Sequence, residues 1–150
     1  MKLKLLMLSL LMTTALFAEF KAGEKLPPLS LPDQFDNELQ VKSTDRLLIV
    51  SFEKDTSSAI NDYLKAKPAN YLQEHHARYI GDISAMPSLI TSMFAIPKMK
   101  KLPFSVMLIK DDFGEKFSRK EGKITVYKIE NHTISAIEFI APDRLPELFR

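Results

Sequence analysis

The sequence predicts an α/β fold, a three-layer α/β/α sandwich on a mixed sheet. Three observations predict it. The apolar runs Leu47–Phe52 and Phe104–Ile109 have the composition of strands buried on both faces, as in parallel sheets. Segments with helical apolar spacing separate such runs, so strands and helices alternate and imply βαβ crossovers. Two alternating stretches, Ile124–Ile129 and Ile134–Ile140, flank Glu130-Asn131-His132-Thr133 and read as a C-terminal antiparallel hairpin. A short terminal helix from Pro142-Asp143, carrying Leu145, Leu148 and Phe149, closes the chain.

In chain order, Met1–Ala18 reads as a cleavable secretory signal peptide. Lys2 and Lys4 form a positive start, Leu5–Leu11 an apolar core, and Ala18 a small residue before the cut. The apolar stretch is shorter than the roughly 20 residues of a spanning helix. The expected address is periplasmic, with contact to the membrane only through the signal before cleavage. Removing 18 residues from the 150 leaves one domain, 19–150, of 132 residues. That length builds a core without disulfides. The leader holds two of the 21 basic residues and no acid, so the remainder carries 19 basic against 19 acidic groups. Such neutrality gives no electrostatic case for nucleic acid.

Phe20–Asn37, with Pro27, Pro28 and Pro32, is expected to run extended along the surface. After the strand Leu47–Phe52, the run Asp55-Thr56-Ser57-Ser58 offers helix caps. Ala59, Ile60, Tyr63 and Leu64 then carry a helix to about Ala66, which Lys67-Pro68 breaks. Asn70 is expected to cap a second short helix to about Ala77, and Arg78–Ile83 to form a strand. A third helix opens at Ser84 or Ala85, with Pro87 in its first turn. Leu89, Ile90, Met93 and Phe94 form its apolar stripe, and Pro97 ends it. Met93, like Met86, Met99 and Met107, is expected to fill core. Asp111–Gly122, with Phe113 and Phe117 four apart, suggests a turn or two of helix.

On these residues, most of the chain from Gly23 to Phe149 resembles the thioredoxin and peroxiredoxin superfamily. The opening Ala22-Gly23-Glu24-Lys25-Leu26-Pro27 is common in exported domains of that kind. Phe52–Ser58 occupies the strand-to-helix turn where those families hold reactive cysteines. This chain has no cysteine. Thiol–disulfide and peroxidase chemistry, which need a thiolate, are therefore excluded. The resemblance also implies a cis proline before the strand facing the turn, but Gly122-Lys123 stands there. A closer resemblance is to the cysteine-less periplasmic YtfJ-like group. It rests on Tyr79–Pro87, the helix to Pro97, Leu102-Pro103-Phe104 leading to Asp111, and Lys123-Ile124-Thr125-Val126-Tyr127.

What remains is weak chemistry. Asp55, Thr56, Ser57, Ser58 and Lys123 are the candidate binding residues of the degenerate turn. Its helix start presents amides to an anion or peptide carboxylate, although capping alone explains the hydroxyls. A serine needs an oriented base to become a nucleophile, and no histidine is near in sequence. His75 and His76 are adjacent and point about 100° apart on a helix. With only His132 besides, no metal site is expected. Asp111-Asp112 reads as a cap or turn. Lys98-Met99-Lys100-Lys101 offers charge to an anionic headgroup or acidic partner, but so short a run is ordinarily a solvated loop. Asn131-His132-Thr133 fits the glycosylation pattern, which has meaning only in a glycosylating host. No nucleotide-binding motif is present, so no cofactor is expected. The expectation is a non-catalytic binding or accessory module for a periplasmic protein or peptide. The alternative is an enzyme with cysteine-independent chemistry on Ser57 or Ser58, Asp55, Asp82 and a histidine.

Overall fold

A computed structural model describes residues 18–150; apart from Ala18, the expected leader lies outside the described residues. Two short strands, β1 (Ser30–Pro32) and β2 (Glu38–Gln40), pair antiparallel as a small separate sheet. The Asp33 carboxylate closes the turn between them by accepting from the amides of Phe35 and Asn37 at 2.8 and 2.9 Å. The main sheet holds β3 (Leu47–Ser51), β4 (Ala77–Asp82), β5 (Met107–Ile109), β6 (Ile124–Glu130) and β7 (Thr133–Ile140) in the order β5-β4-β3-β6-β7. β3, β4 and β5 run parallel, while β6 and β7 are antiparallel additions. Helix α1 (Lys54–Lys65) and the single turn α2 (Tyr71–Glu74) make the crossover from β3 to β4. Ser88–Met99 forms the next helical segment: α3 (Ser88–Ile90), a widened π turn (Thr91–Ala95) and α4 (Ile96–Met99). Short 3₁₀ helices follow at Asp112–Lys116 and Pro142–Phe149.

Alternation along the strands divides the core between the two faces of the sheet. Ile49, Tyr79, Leu108 and Val126 meet Ile60 and Leu64 of α1 and Leu145 of the last helix. Leu48, Val50, Ile80, Met107 and Tyr127 meet Phe20, Leu26, Leu29 and Phe117. The lead-in runs over the outside of this face, as expected, with residues 21–25 and Pro27 and Pro28 exposed. It also covers the face, which was not expected, by turning Phe20, Leu26 and Leu29 inward. Its backbone also borders the edge strand: Gly23 N–H donates to Ile134 O at 2.7 Å and Ile134 N–H to Glu24 O at 2.9 Å.

The strand expected over Phe104–Ile109 is paired only at Met107–Ile109. Ahead of it, the buried Gln34 side chain replaces a neighbouring strand. It donates to Phe104 O at 2.8 Å and Met99 O at 3.2 Å, and accepts from Val106 N–H at 2.9 Å. Pro97 does not end its helix either. Ile96 N–H reaches back five residues to Thr91 O, and Pro97 falls in the first turn of the next α segment, where no donor is required. The stripe Leu89, Ile90, Met93 and Phe94 is not core: these side chains are 66, 45, 59 and 62 % exposed, and Met86 is exposed as well. The hairpin forms as expected, but its loop is shorter: Glu130 and Thr133 pair in the strands, leaving Asn131 and His132, both at positive φ, as a tight I′ turn.

Candidate functional site

The parallel strands β3 and β4 end together, with Ser51 level with Gly81. Antiparallel β6 begins at the same end, with Thr125 beside Val50. The turn Phe52–Ser58, the chain leaving Asp82 and the loop before Ile124 thus converge at the carboxyl ends of the parallel strands. This is where open α/β sheets bind ligands.

The turn is capped differently from the sequence expectation. Glu53, not Asp55 to Ser58, is the residue before the helix; it is extended, and no side chain caps the start. Thr56 is buried one turn in, and its hydroxyl donates back to Glu53 O at 3.1 Å. Ser57 N–H donates to the same carbonyl at 3.0 Å. The Ser57 hydroxyl lies 2.8 Å from that of Ser51, which lies 3.3 Å from the Tyr79 hydroxyl. Burial pushes the Tyr79 phenol pKa up, and its bonds to the serine hydroxyls offset this only in part. The chain of hydroxyls therefore ends on a neutral phenol, which holds its proton rather than accepting one from Ser57. Asp55 and Ser58 are exposed.

The missing proline has a polar substitute. Both oxygens of the Glu53 carboxylate accept from Gly122 N–H, at 2.9 and 3.2 Å. Gly122 sits at φ 71°, where a side chain is strained. This bond draws the loop carrying Lys123, itself exposed, onto the turn. No peptide bond among the described residues is cis.

Asp82 lies beside the turn and not in it. Its side chain is 4 % exposed. One oxygen accepts from Ser84 N–H at 2.9 Å and from the Ser84 hydroxyl at 2.6 Å. The other faces Arg119 at 3.5 Å. Arg119 also donates to Gly114 O at 3.1 Å and lies 4.0 Å over the Phe52 ring. Gly114 packs so close that any Cβ there would strike the Asp82 carboxylate. A depression of about 390 Å³ opens among Asp82, Ser84, Lys110, Asp112, Glu115 and Arg119. Asp111 caps the 3₁₀ turn, accepting from Phe113 N–H at 3.0 Å, as its sequence position implied.

The histidines lie elsewhere. His75 is held by Tyr71 O, 2.8 Å from Nδ1, and packs on the Tyr71 and Phe149 rings. His75 and His76 line a cavity of about 820 Å³ beside Leu47 and Lys128, at the opposite end of the sheet. Among the described residues no three His, Cys, Asp or Glu side chains are grouped to hold a metal.

Glu53, Arg119 and the Ser51–Tyr79 pair are site residues that sequence reasoning missed. Glu53 and Gly122 are 69 positions apart, and Ser51 and Tyr79 are 28 apart. Only an acid just ahead of a helix, where the dipole favours it, gave a local signal.

Neither a protein-family model nor a curated protein sequence matches the chain. Solved structures do. Peroxidoxin BcpB from Mycobacterium tuberculosis is similar at TM-score 0.57 and 14% identity, over 86% of this chain and 93% of that one. A thio-disulfide isomerase from Thermus thermophilus is similar at TM-score 0.53 and 16% identity, over 85% and 94%. The thioredoxin domain of a thiol-disulfide oxidoreductase from Bacteroides vulgatus is similar at TM-score 0.51 and 14% identity, over 88% and 100%. At such identities the likeness is one of fold: the chain has a thioredoxin-like fold and carries no cysteine.

Proposed function

We propose that this is an exported, periplasmic thioredoxin-fold protein, akin to the YtfJ-like group, that binds a protein or peptide and performs no chemistry of its own. The observation that carries this reading is the Ser57–Ser51–Tyr79 chain. Where the related folds place thiols, this chain has hydroxyls bonded to one another, without a base. Thr56 is likewise spent on Glu53 O. Asp55, Ser58 and Lys123 are left exposed as the groups a partner would meet.

A photo-crosslinking residue at Ser58, expressed in the source cell, tests this. A single crosslinked partner is expected, lost on Asp55→Lys and absent when the crosslinker sits at Ser43. Reproducible turnover of any substrate class by the purified protein would sink the reading.

The enzyme alternative draws on one specific observation, the nearly buried Asp82 carboxylate in a polar depression. It is the weaker reading because Ser57 and Asp82 are hydrogen-bonded to different partners and form no nucleophile–base pair. An intact cellular phenotype in Ser57→Ala and Asp82→Asn would remove it.

A further inference from the structure

The apolar residues Met86, Leu89, Ile90, Met93 and Phe94 fall within nine positions and are all exposed. Contiguous exposed apolar surface of this kind marks an interaction site. The C-terminal end of the segment is anchored: Ile96, Met99 and Leu102, which follow the exposed residues, pack on the core, and Gln34 holds Met99 O. The segment is thus a preformed projection from the folded body.

Its charge identifies the occupant. Between Asp82 and Asp111 the sequence contains no acid, yet it contains Lys98, Lys100, Lys101 and Lys110. The three lysines nearest the apolar residues are exposed. The bracketing acids are engaged, Asp82 with Ser84 and Arg119 and Asp111 with Phe113 N–H. Bulky apolar residues followed by lysines match the layering of an anionic bilayer, hydrocarbon beneath phosphate. Of the three hydroxyl residues among the apolar ones, Ser88 opens the helix, and the hydroxyls of Thr91 and Ser92 are satisfied within it. Thr91 donates to Pro87 O and Ser92 to Leu89 O, both at 3.3 Å. They therefore enter an apolar medium without an unpaired donor. The helical run is too short to span, and no described helix is long and apolar enough to cross a membrane.

We propose that Met86–Lys101 docks the protein on an anionic lipid surface, with Leu89, Ile90, Met93 and Phe94 in the interface and Lys98, Lys100 and Lys101 against the headgroup phosphates. This gives the folded protein a membrane contact beyond the one expected of its leader. It does not depend on a partner at the Phe52–Ser58 turn.

The absence of cysteine supplies the test. Ser92→Cys in the full chain carries one environment-sensitive fluorophore, and Ser43→Cys carries it at the opposite end of the sheet. Any tethering through the leader is common to both. With vesicles of phosphatidylglycerol and phosphatidylcholine, a blue shift and quenching by lipid-borne quenchers are expected at position 92 and not at 43. Replacing Lys98, Lys100 or Lys101 by Gln is expected to weaken partition roughly fivefold each, and added salt to weaken it further. Leu89→Ser with Phe94→Ser is expected to abolish the shift. No shift at 92 overturns the proposal, as does an equal shift with pure phosphatidylcholine. A concentration-dependent shift without lipid also overturns it and assigns the face to a second copy of the chain.

Discussion

Two parts of the chain leave the carboxyl ends of the parallel strands, and they finish in opposite states. The turn Phe52–Ser58 has polar side chains engaged inward, Thr56 on Glu53 O, Ser57 on Ser51 and Glu53 on Gly122. The segment Ser84–Met99 keeps its apolar side chains outside. At the turn the inward polar groups are satisfied and polar Asp55 and Ser58 face solvent, whereas next door the solvent-facing groups are apolar. A turn of this fold without a thiol therefore need not leave a hole. Hydroxyls and a carboxylate fill its interior, and the two surfaces differ in what they can meet, polar groups at the turn and apolar area beside it.

Mutations can break or sharpen this contrast. The largest effect is expected at Gln34, the buried clamp behind the apolar segment. Gln34→Ala strands two buried backbone groups and should cost about 3 kcal/mol in urea or thermal unfolding. Gly114→Ala comes next, since its methyl collides with Asp82 and forces Arg119 and Ser84 to shift. A loss of about 2 kcal/mol is expected from the same measurement. Glu53→Ala unties the turn from the loop before β6 and should cost about 1 kcal/mol. Faster amide exchange at Gly122 should accompany it.

Tyr79→Phe should alter the pH dependence more than the stability at neutral pH. The folded-state phenol pKa lies above the ordinary 10.0. The folded protein therefore keeps this proton while the unfolded chain releases it. The resulting stability is complete below pH 10 and is lost as pH rises beyond it, at up to about 1.4 kcal/mol per pH unit. The variant should show a shallower decline in alkaline denaturation, and an unchanged slope would show that burial does not raise the Tyr79 pKa. The smallest effect is expected at Phe94→Ser. An exposed side chain should leave stability within about 0.5 kcal/mol. A larger loss would show that the apolar segment is structural, and the contrast would fail.

The sheet was legible in the sequence because its strands carry their own signal. Leu47–Ser51 and the hairpin strands fell within a residue or two of expectation, and the thioredoxin-like order followed from them. The errors share a cause. Periodicity reports that residues lie on one face, not what covers that face, so Leu89 to Phe94 read as core. Proline rules report a missing donor, not whether the ladder has widened to do without it, so Pro97 read as a stop. At the site, the identity and place of the turn were legible from Phe52–Ser58. Its wiring was not, because Glu53–Gly122 and Ser51–Tyr79 are long-range pairs without a sequence pattern. Phe104–Val106 looked like strand because it is extended and apolar, yet its partner is one side chain from a distant turn.

The start of the folded body bears on the proposed export. Phe20 is buried, its ring centroid 5.2 Å from that of Phe117, and its N–H donates to Lys116 O at 2.8 Å. Glu19 accepts from the Ser118 hydroxyl at 2.9 Å. If the chain is cut after Ala18, as that reading proposes, the peptidase would need Glu19 and Phe20 free of other partners. In the folded protein those residues are occupied by partners about 100 positions downstream. Under the proposed export, release of a leader and completion of the fold would compete for the same two residues, Glu19 and Phe20. A chain refolded with its leader attached should be cleaved more slowly than one presented unfolded.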